Sequence, residues 1–295
     1  MNCRYLLGLF AAFAAAVIGA GWQIASRHGV TTTLGPMELA VLRYAIPACL
    51  LGPILFRTPW PANLTWRAVA LLVACGGLPF GLLVLAGAQF APAAHVGVFM
   101  AGTMPLFTAL VCRFVLDERV QGLQWLGLTL VAIGVFSLGA SSLRAGVAGS
   151  WRGDLLFMVA AALWAIYTVA FRRSGLNALQ GAALVNTGSA LFLVVPLAVW
   201  GAPLLFTAPL HDVLLQVLWQ GVIAGVLGLV TYSVAIARLG AARASLSAAL
   251  VPPMTAVGAA RLLGEELGWV TASTSLLVAI GIAFASAPRA SGGPR

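Results

Sequence analysis

Ten stretches of mostly apolar residues follow one another along this chain, near residues 5–26, 37–56, 67–89, 93–115, 121–141, 153–171, 178–200, 213–237, 241–262 and 268–287. Each approaches the roughly 20 residues that a helix needs to cross a bilayer, where every backbone polar group must be satisfied within the helix. The expected fold is therefore an all-α membrane protein with ten transmembrane helices. A soluble core is excluded by supply: 61% of the 295 residues are hydrophobic and 8% charged, against about 25% charged residues in soluble domains. The links between the stretches are too short to house a separate soluble domain. The run from Tyr5 to Ala25 is longer than a secretory-signal core and heads a series of equals, so it reads as the first span.

The sixteen basic residues are all Arg, against seven acids, and they lie scattered between the apolar stretches. Scattered cations orient a membrane chain; they do not form the patch that a nucleic-acid partner requires. With the N-terminus cytoplasmic, eleven Arg fall inside and five outside. That bias favours both termini inside. The expected location is a bacterial inner (plasma) membrane, crossed many times, with both termini cytoplasmic. Cys3, Cys49, Cys75 and Cys112 lack C-x-x-C spacing and read as small hydrophobes, while His28, His95 and His211 are too dispersed to hold a metal. No nucleotide-binding loop is present, and no cofactor is expected.

The chain repeats itself. At an offset of 148, residues 93–118 align without a gap on 241–266, matching Ala93/Ala241, Ala94/Ala242, Ala101/Ala249, Pro105/Pro253, Arg113/Arg261 and Glu118/Glu266. The "VAIG" at 131–134 recurs at 278–281, and "SRHG" at 26–29 falls on "RRSG" at 172–175. Two five-helix halves follow, residues 1–145 and 150–290. An odd number of spans makes the second half enter from the opposite face, an inverted repeat suited to alternating access.

Ten spans, the five-plus-five duplication, Pro105 and Pro253 thirteen residues before Glu118 and Glu266, and "LRY" at Leu42–Tyr44 resemble the EamA-type transporters of the drug/metabolite transporter superfamily. The resemblance implies a carrier, often an exporter of amino acids or related metabolites, with its pocket between the halves. Asn186 stands in the second half roughly where Arg43 stands in the first, so that pocket is expected to be asymmetric.

Pro105 and Pro253 interrupt matching spans; such breaks either mark a midplane site or serve as packing kinks. Arg43 lies about 9 Å into its helix at 1.5 Å per residue, a depth at which a charge faces protein or water. It can take a substrate carboxylate, or pair with Glu38 or free carbonyls. Trp22, Gln23, Phe80, Gln89, His95, Phe99, Trp164, Tyr167, Asn186 and Tyr232 complete the candidate substrate-binding set. Arg113 with Asp117, and Arg261 with Glu265, are i,i+4 pairs that share a face if their helices persist; Glu118 and Glu266 follow at the next helix starts. These six residues form either turn locks or gates. Trp60, Trp66, Trp151 and Trp269 are placed as interface anchors, and Gly77-x-x-x-Gly81, Gly221-x-x-x-Gly225, Gly127 and Gly134 as close helix contacts.

The expected function is a monomeric secondary transporter in the lipid bilayer that exports an amino acid or related small metabolite. Protons are a second candidate partner, through His95, Glu118 or Glu266. The alternative is a membrane-embedded enzyme or flippase acting on a lipid-linked substrate. That would need an interfacial carboxylate or metal cluster, which the acids do not form outside the two turns.

Overall fold

The computed structural model describes residues 3–145, 149–240, 244 and 246–286. Among these residues the chain is helical and contains no strand. Eight helices are long and apolar enough to cross a membrane: α1 (Arg4–Thr31), α2 (Pro36–Arg57), α3 (Trp66–Phe90), α4 (Ala93–Val115), α5 (Leu123–Arg144), α6 (Ser150–Ser174), α7 (Ala178–Trp200) and α8 (Leu210–Leu239). Two shorter apolar helices follow, α9 (Leu246–Leu262) and α10 (Trp269–Ala285). Each coincides with one predicted stretch. The start of the ninth stretch, with Ala241, Ala242 and Arg243, and the tail from residue 287, with Arg289 and Arg295, lie outside the described residues.

Local chemistry fixes several helix starts. The Thr65 hydroxyl accepts from the Ala68 N–H ahead of α3, and Asn177 and Gln180 exchange hydrogen bonds in a capping box that opens α7. The Glu38 carboxylate accepts from the Gly35 N–H at the start of α2 and from Leu204. Glu38 is therefore turned to its own helix end and does not pair with Arg43.

Besides a turn at Gly52–Pro53 within α2, irregular winding among the described residues falls at four places. The α3 helix breaks at Gly77, and α4 runs as a wider π-helix over Val96–Gly102. The α8 helix is π-helical over Val217–Leu227, and α9 begins as a tight 3-10 turn over Leu246–Leu250. In α4 and α9 the expected proline interruption falls directly after the irregular stretch, with Pro105 and Pro253 in the first turn of a fresh α-helical segment. A missing N–H costs nothing there, because first-turn N–H groups have no helical partner.

The packing has a symmetry of its own. The α1 helix packs against α8 and α9, as α6 packs against α3 and α4; α2 packs on α7, and α5 on α10. Exchanging each helix of one half for its counterpart in the other leaves this set of contacts unchanged. The α5–α10 seam is the closest: a methyl group at Gly127 would lie 2.2 Å from the Ala285 backbone nitrogen and 2.5 Å from the Gly281 carbonyl. The other predicted close contacts are also met, with Gly81 under Tyr44, Gly225 under Pro47 and Gly134 against Val278.

Outer faces carry exposed Phe10, Phe13, Phe114, Phe136 and Phe192, and Trp60, Trp66, Trp151 and Trp269 are exposed as expected of anchors. Arg67 and Arg152 each lie over the ring of the preceding tryptophan. Cys49 is exposed and Cys75 and Cys112 are buried, with Arg172 Nη1 donating to the Cys112 sulfur at 3.6 Å.

Gly127→Val should force α5 from α10 and destabilise the protein by about 1–3 kcal/mol, the usual cost of overpacking. Thermal melting in detergent should show this loss. Gly139→Ala on the same helix, whose methyl group would reach Phe99 only at an ordinary 3.7 Å, should leave the melt nearly unchanged.

Candidate functional site

The irregular stretches surround a cavity of about 380 Å³. Backbone outside a regular helix is tolerated at membrane depth only where protein or a water-lined cavity meets it. Helices from both halves line it: α1 contributes Trp22, α2 Arg43 and Tyr44, α3 Phe80, α4 Met100 and Met104, α6 Trp164 and Tyr167, α7 Asn186, and α8 Gly225 and Tyr232. Seven residues chosen from sequence thus meet in one space: Trp22, Arg43, Phe80, Trp164, Tyr167, Asn186 and Tyr232.

The aromatic rings form a continuous wall. Centroid separations are 6.5 Å from Trp22 to Phe80, 4.9 Å from Phe80 to Trp164, and 4.9 Å from Trp164 to Tyr167. The guanidinium carbon of Arg43 lies 5.4 Å from the centre of the Trp22 ring, within cation–π range. Trp22 is itself held, because its indole N–H donates to Gln220 Oε1 at 2.7 Å. Gln220 Nε2 donates to Ser26 and Gln216, and Gln216 Nε2 donates to the Ala25 carbonyl. Tyr44 donates to the Gly77 carbonyl, which also accepts from the Gly81 N–H, and the Leu78 N–H across that break donates to Ser189.

Other candidates lie elsewhere. Gln23 accepts from Thr255 and joins α1 to α9. Gln89 is exposed, and its backbone carbonyl accepts from Arg27. His95 is buried against Asp154 at 2.7 Å, with Phe99 beside it, so neither lines the cavity. Pro105 lines a second hollow, and Pro253 lines neither.

That second hollow, of about 400 Å³, shares Met104, Trp164, Tyr232 and Ala248 with the cavity and reaches Glu118, Arg119 and Arg172. Glu118 lies just past the C-terminus of α4, where Arg172 Nη2 donates to it at 3.0 Å. At the other end of α4, Glu265 accepts from the Ala93 N–H at 2.9 Å and from Arg27 Nε at 3.0 Å. Arg27 also donates to the Ala88 and Gln89 carbonyls. The two ion pairs are therefore separated by the length of α4, about 35 Å at 1.5 Å per residue.

The turns that carry these carboxylates correct the sequence register by one residue. The Glu118 N–H donates to the Cys112 carbonyl, and the Glu265 N–H to the Ala259 carbonyl, so both turns close in the same way. Glu118 thus corresponds to Glu265, and Asp117 to Gly264; the latter two occupy the left-handed region, with φ 52° and 68°. The expected Arg261–Glu265 pair is absent because that left-handed residue ends the helix and turns Glu265 inward to Arg27. Arg113 does contact Asp117. Glu266 is exposed, two residues before the Gly268 cap of α10.

The two ion pairs are unequal. Side chains of the Arg27–Glu265 pair are 18% and 16% exposed, against 51% and 22% for Arg172–Glu118. Water screens the second pair more, which puts it in the range of under about 1 kcal/mol for surface pairs.

Sequence reasoning missed Asp154, whose buried Oδ2 has no hydrogen-bond partner among the described residues, and the amides of Gln216 and Gln220. Their signal was present: a carboxylate at the start of a span, and two amides at i,i+4 within another.

Residues 6–140 and 151–287 each match the EamA-like transporter family. The chain belongs to this family, whose domain it carries twice. Among curated relatives, an uncharacterized transporter of Clostridium kluyveri is 26% identical over 85% of this EamA-like chain and 81% of its own length. The uncharacterized transporter YyaM of Bacillus subtilis is 24% identical over 84% and 85% respectively. A protein of known crystal structure has the same fold across 95% of this chain and 97% of its own, with a TM-score of 0.63 at 20% identity. These relationships make the chain a multi-pass membrane transporter.

Glu265→Gln should cost about 1.5–3 kcal/mol, the range for hydrogen bonds to a charged group. Glu266→Gln, one residue on, should stay within about 0.5 kcal/mol of the parent. Melting temperatures in detergent decide between this register and the one read from sequence, which treats Glu266 as the partner of Glu118.

Proposed function

We propose that this chain is a secondary transporter that exports a small metabolite, an amino acid or a close relative, by alternating access through the cavity between its halves. All ten helices cross a bacterial inner membrane as two inverted five-helix repeats, with both termini cytoplasmic. The observation that carries the reading is the cavity itself, lined from both halves and lying between two equivalent carboxylate–arginine contacts. Supporting the inversion, Arg27 in the last turns of α1 and Arg172 in the last turn of α6 stand at opposite ends of α4.

The two contacts act as the two gates. Glu265 ties α1, the α3–α4 turn and the α9–α10 turn at one end, with Gln23–Thr255 and the Gln216–Gln220 amides closing α1 onto α9 and α8 below it. At the other end the second hollow continues from the cavity to Glu118 and Arg172. This is the arrangement of a carrier closed outward and accessible from the cytoplasm. Transport consists of exchanging which end is tied, and a domain present twice supplies each end with the same device.

Cysteines introduced at Asp117 and Glu266, in a background with the native cysteines replaced, should label from opposite sides of the membrane; labelling from one side removes the inverted pairing. In proteoliposomes, counterflow with a panel of amino acids and related metabolites should reveal a substrate. Trp164→Ala should reduce that flux tenfold or more, while Trp269→Ala, on the outer surface, should not.

A further inference from the structure

Arg43 is the charged side chain of the cavity, and its surroundings do not neutralise it. Among the described residues its guanidinium makes no hydrogen bond or ion pair, and neither Asp nor Glu lines the cavity. Glu38, five positions away on the same helix, is committed to the N–H groups of Gly35 and Leu204. The neighbouring polar groups are also engaged: the Tyr44 hydroxyl donates to Gly77, the Asn186 amide to Ala182, and the Ser247 hydroxyl to Ala244. The charge left toward the space is one cation with its forked donors, beside the neutral hydroxyls of Tyr167 and Tyr232 and the faces of Trp22, Phe80, Trp164 and Tyr167.

A planar guanidinium binds a carboxylate through two parallel hydrogen bonds, and the low dielectric around it strengthens that contact. The aromatic wall suits a flat apolar body. A volume of about 380 Å³ is near the lower limit for small-molecule sites, about 300–1,000 Å³, so the body is small. An α-amino acid also carries an ammonium one bond from the carbon that bears its carboxylate. Docked on Arg43, it would hold that second cation close to the guanidinium in a cavity without a carboxylate to receive it. An acid with the same ring and no ammonium avoids this conflict.

Resting on the transport reading above, we propose that the cavity selects small aromatic monocarboxylates that bear no ammonium group over the zwitterionic amino acids of the same skeleton. Arg43 binds the carboxylate, and Trp22, Phe80, Trp164 and Tyr167 hold the ring.

Three probes with one skeleton separate the charges: 3-phenylpropanoate, phenylalanine and 2-phenylethylamine, titrated at neutral pH against the full chain in detergent and followed by tryptophan fluorescence. The anion should bind at least tenfold more tightly than the zwitterion, and the amine weakest of all. Arg43→Gln should abolish the preference for the anion, and Arg43→Lys should restore part of it. Equal or tighter binding of phenylalanine, binding of none of the three, or an Arg43→Gln protein with unchanged preference would overturn the assignment. Should Arg43→Gln fail to fold, the ratio between anion and zwitterion in the parent protein decides alone. Counterflow keeps this idea separate from the transport reading. Anion-selective binding without flux leaves the ligand class standing and removes the carrier. Flux of an unrelated solute, blocked by Trp164→Ala and indifferent to 3-phenylpropanoate, does the reverse.

Discussion

Hydrocarbon offers polar groups no partner, so each one that this chain carries to membrane depth must be satisfied by another part of the protein. The architecture follows from where that demand is met. Gln216 and Gln220 of α8 serve Trp22, Ser26 and the Ala25 carbonyl of α1, which fixes those two helices in register. At Gly77 the carbonyl goes to Tyr44 of α2, and the next N–H to Ser189 of α7. Helices are thus joined across the two halves at the level where the helical ladder is interrupted, and the cavity lies among these joints. The outer surfaces carry exposed Phe, Leu, Val, Ile and Trp side chains, whose apolar surfaces need no such partner.

The two copies of the domain are not identical in winding. The stretch of α4 at Val96–Gly102 is loosened into a π-helix, while the matching part of α9 at Leu246–Leu250 is tightened into a 3-10 turn. They cross closely, with Gly97 against Pro252. The ion pairs at the two ends differ in the same spirit: the more enclosed pair, Arg27–Glu265, lies at one end, and the more hydrated pair, Arg172–Glu118, borders the hollow. Equivalent parts are thus held in unlike states, as the proposed alternation between two ends requires.

Much of this was legible in the sequence, because bilayer thickness imposes a period that apolar runs and loops reveal directly. The helices, the duplication and seven of the cavity residues came from that period and from the rarity of aromatic and charged residues within it. Side-chain pairing was less legible. Arg261 and Glu265 have helical spacing, but Gly264 adopts a left-handed conformation between them, and a one-residue turn moves the carboxylate to another helix. The same geometry hid the match of Glu118 with Glu265 behind an alignment dominated by Arg113 and Arg261. Sequence does not reveal the partner of His95, because Asp154 lies 59 positions away, a separation that only the packing of α4 on α6 closes. Gln23, Gln89, Phe99 and Pro253 failed as cavity residues for a simpler reason: depth along a helix does not specify which way its face points.

Arg43 has one more property, which arises from the membrane and not from the pocket. A charge fixed within a bilayer lies in the transmembrane electric field, and moving one elementary charge through the whole potential changes its energy by about 2.3 kcal/mol per 100 mV. In the alternating-access cycle proposed above, the field would be redistributed around the guanidinium as access passes from one side to the other, even with its atoms scarcely moving, and the empty protein would reorient with an electrical preference. An anion on Arg43 would bring the net charge there to zero and let the loaded protein reorient without one.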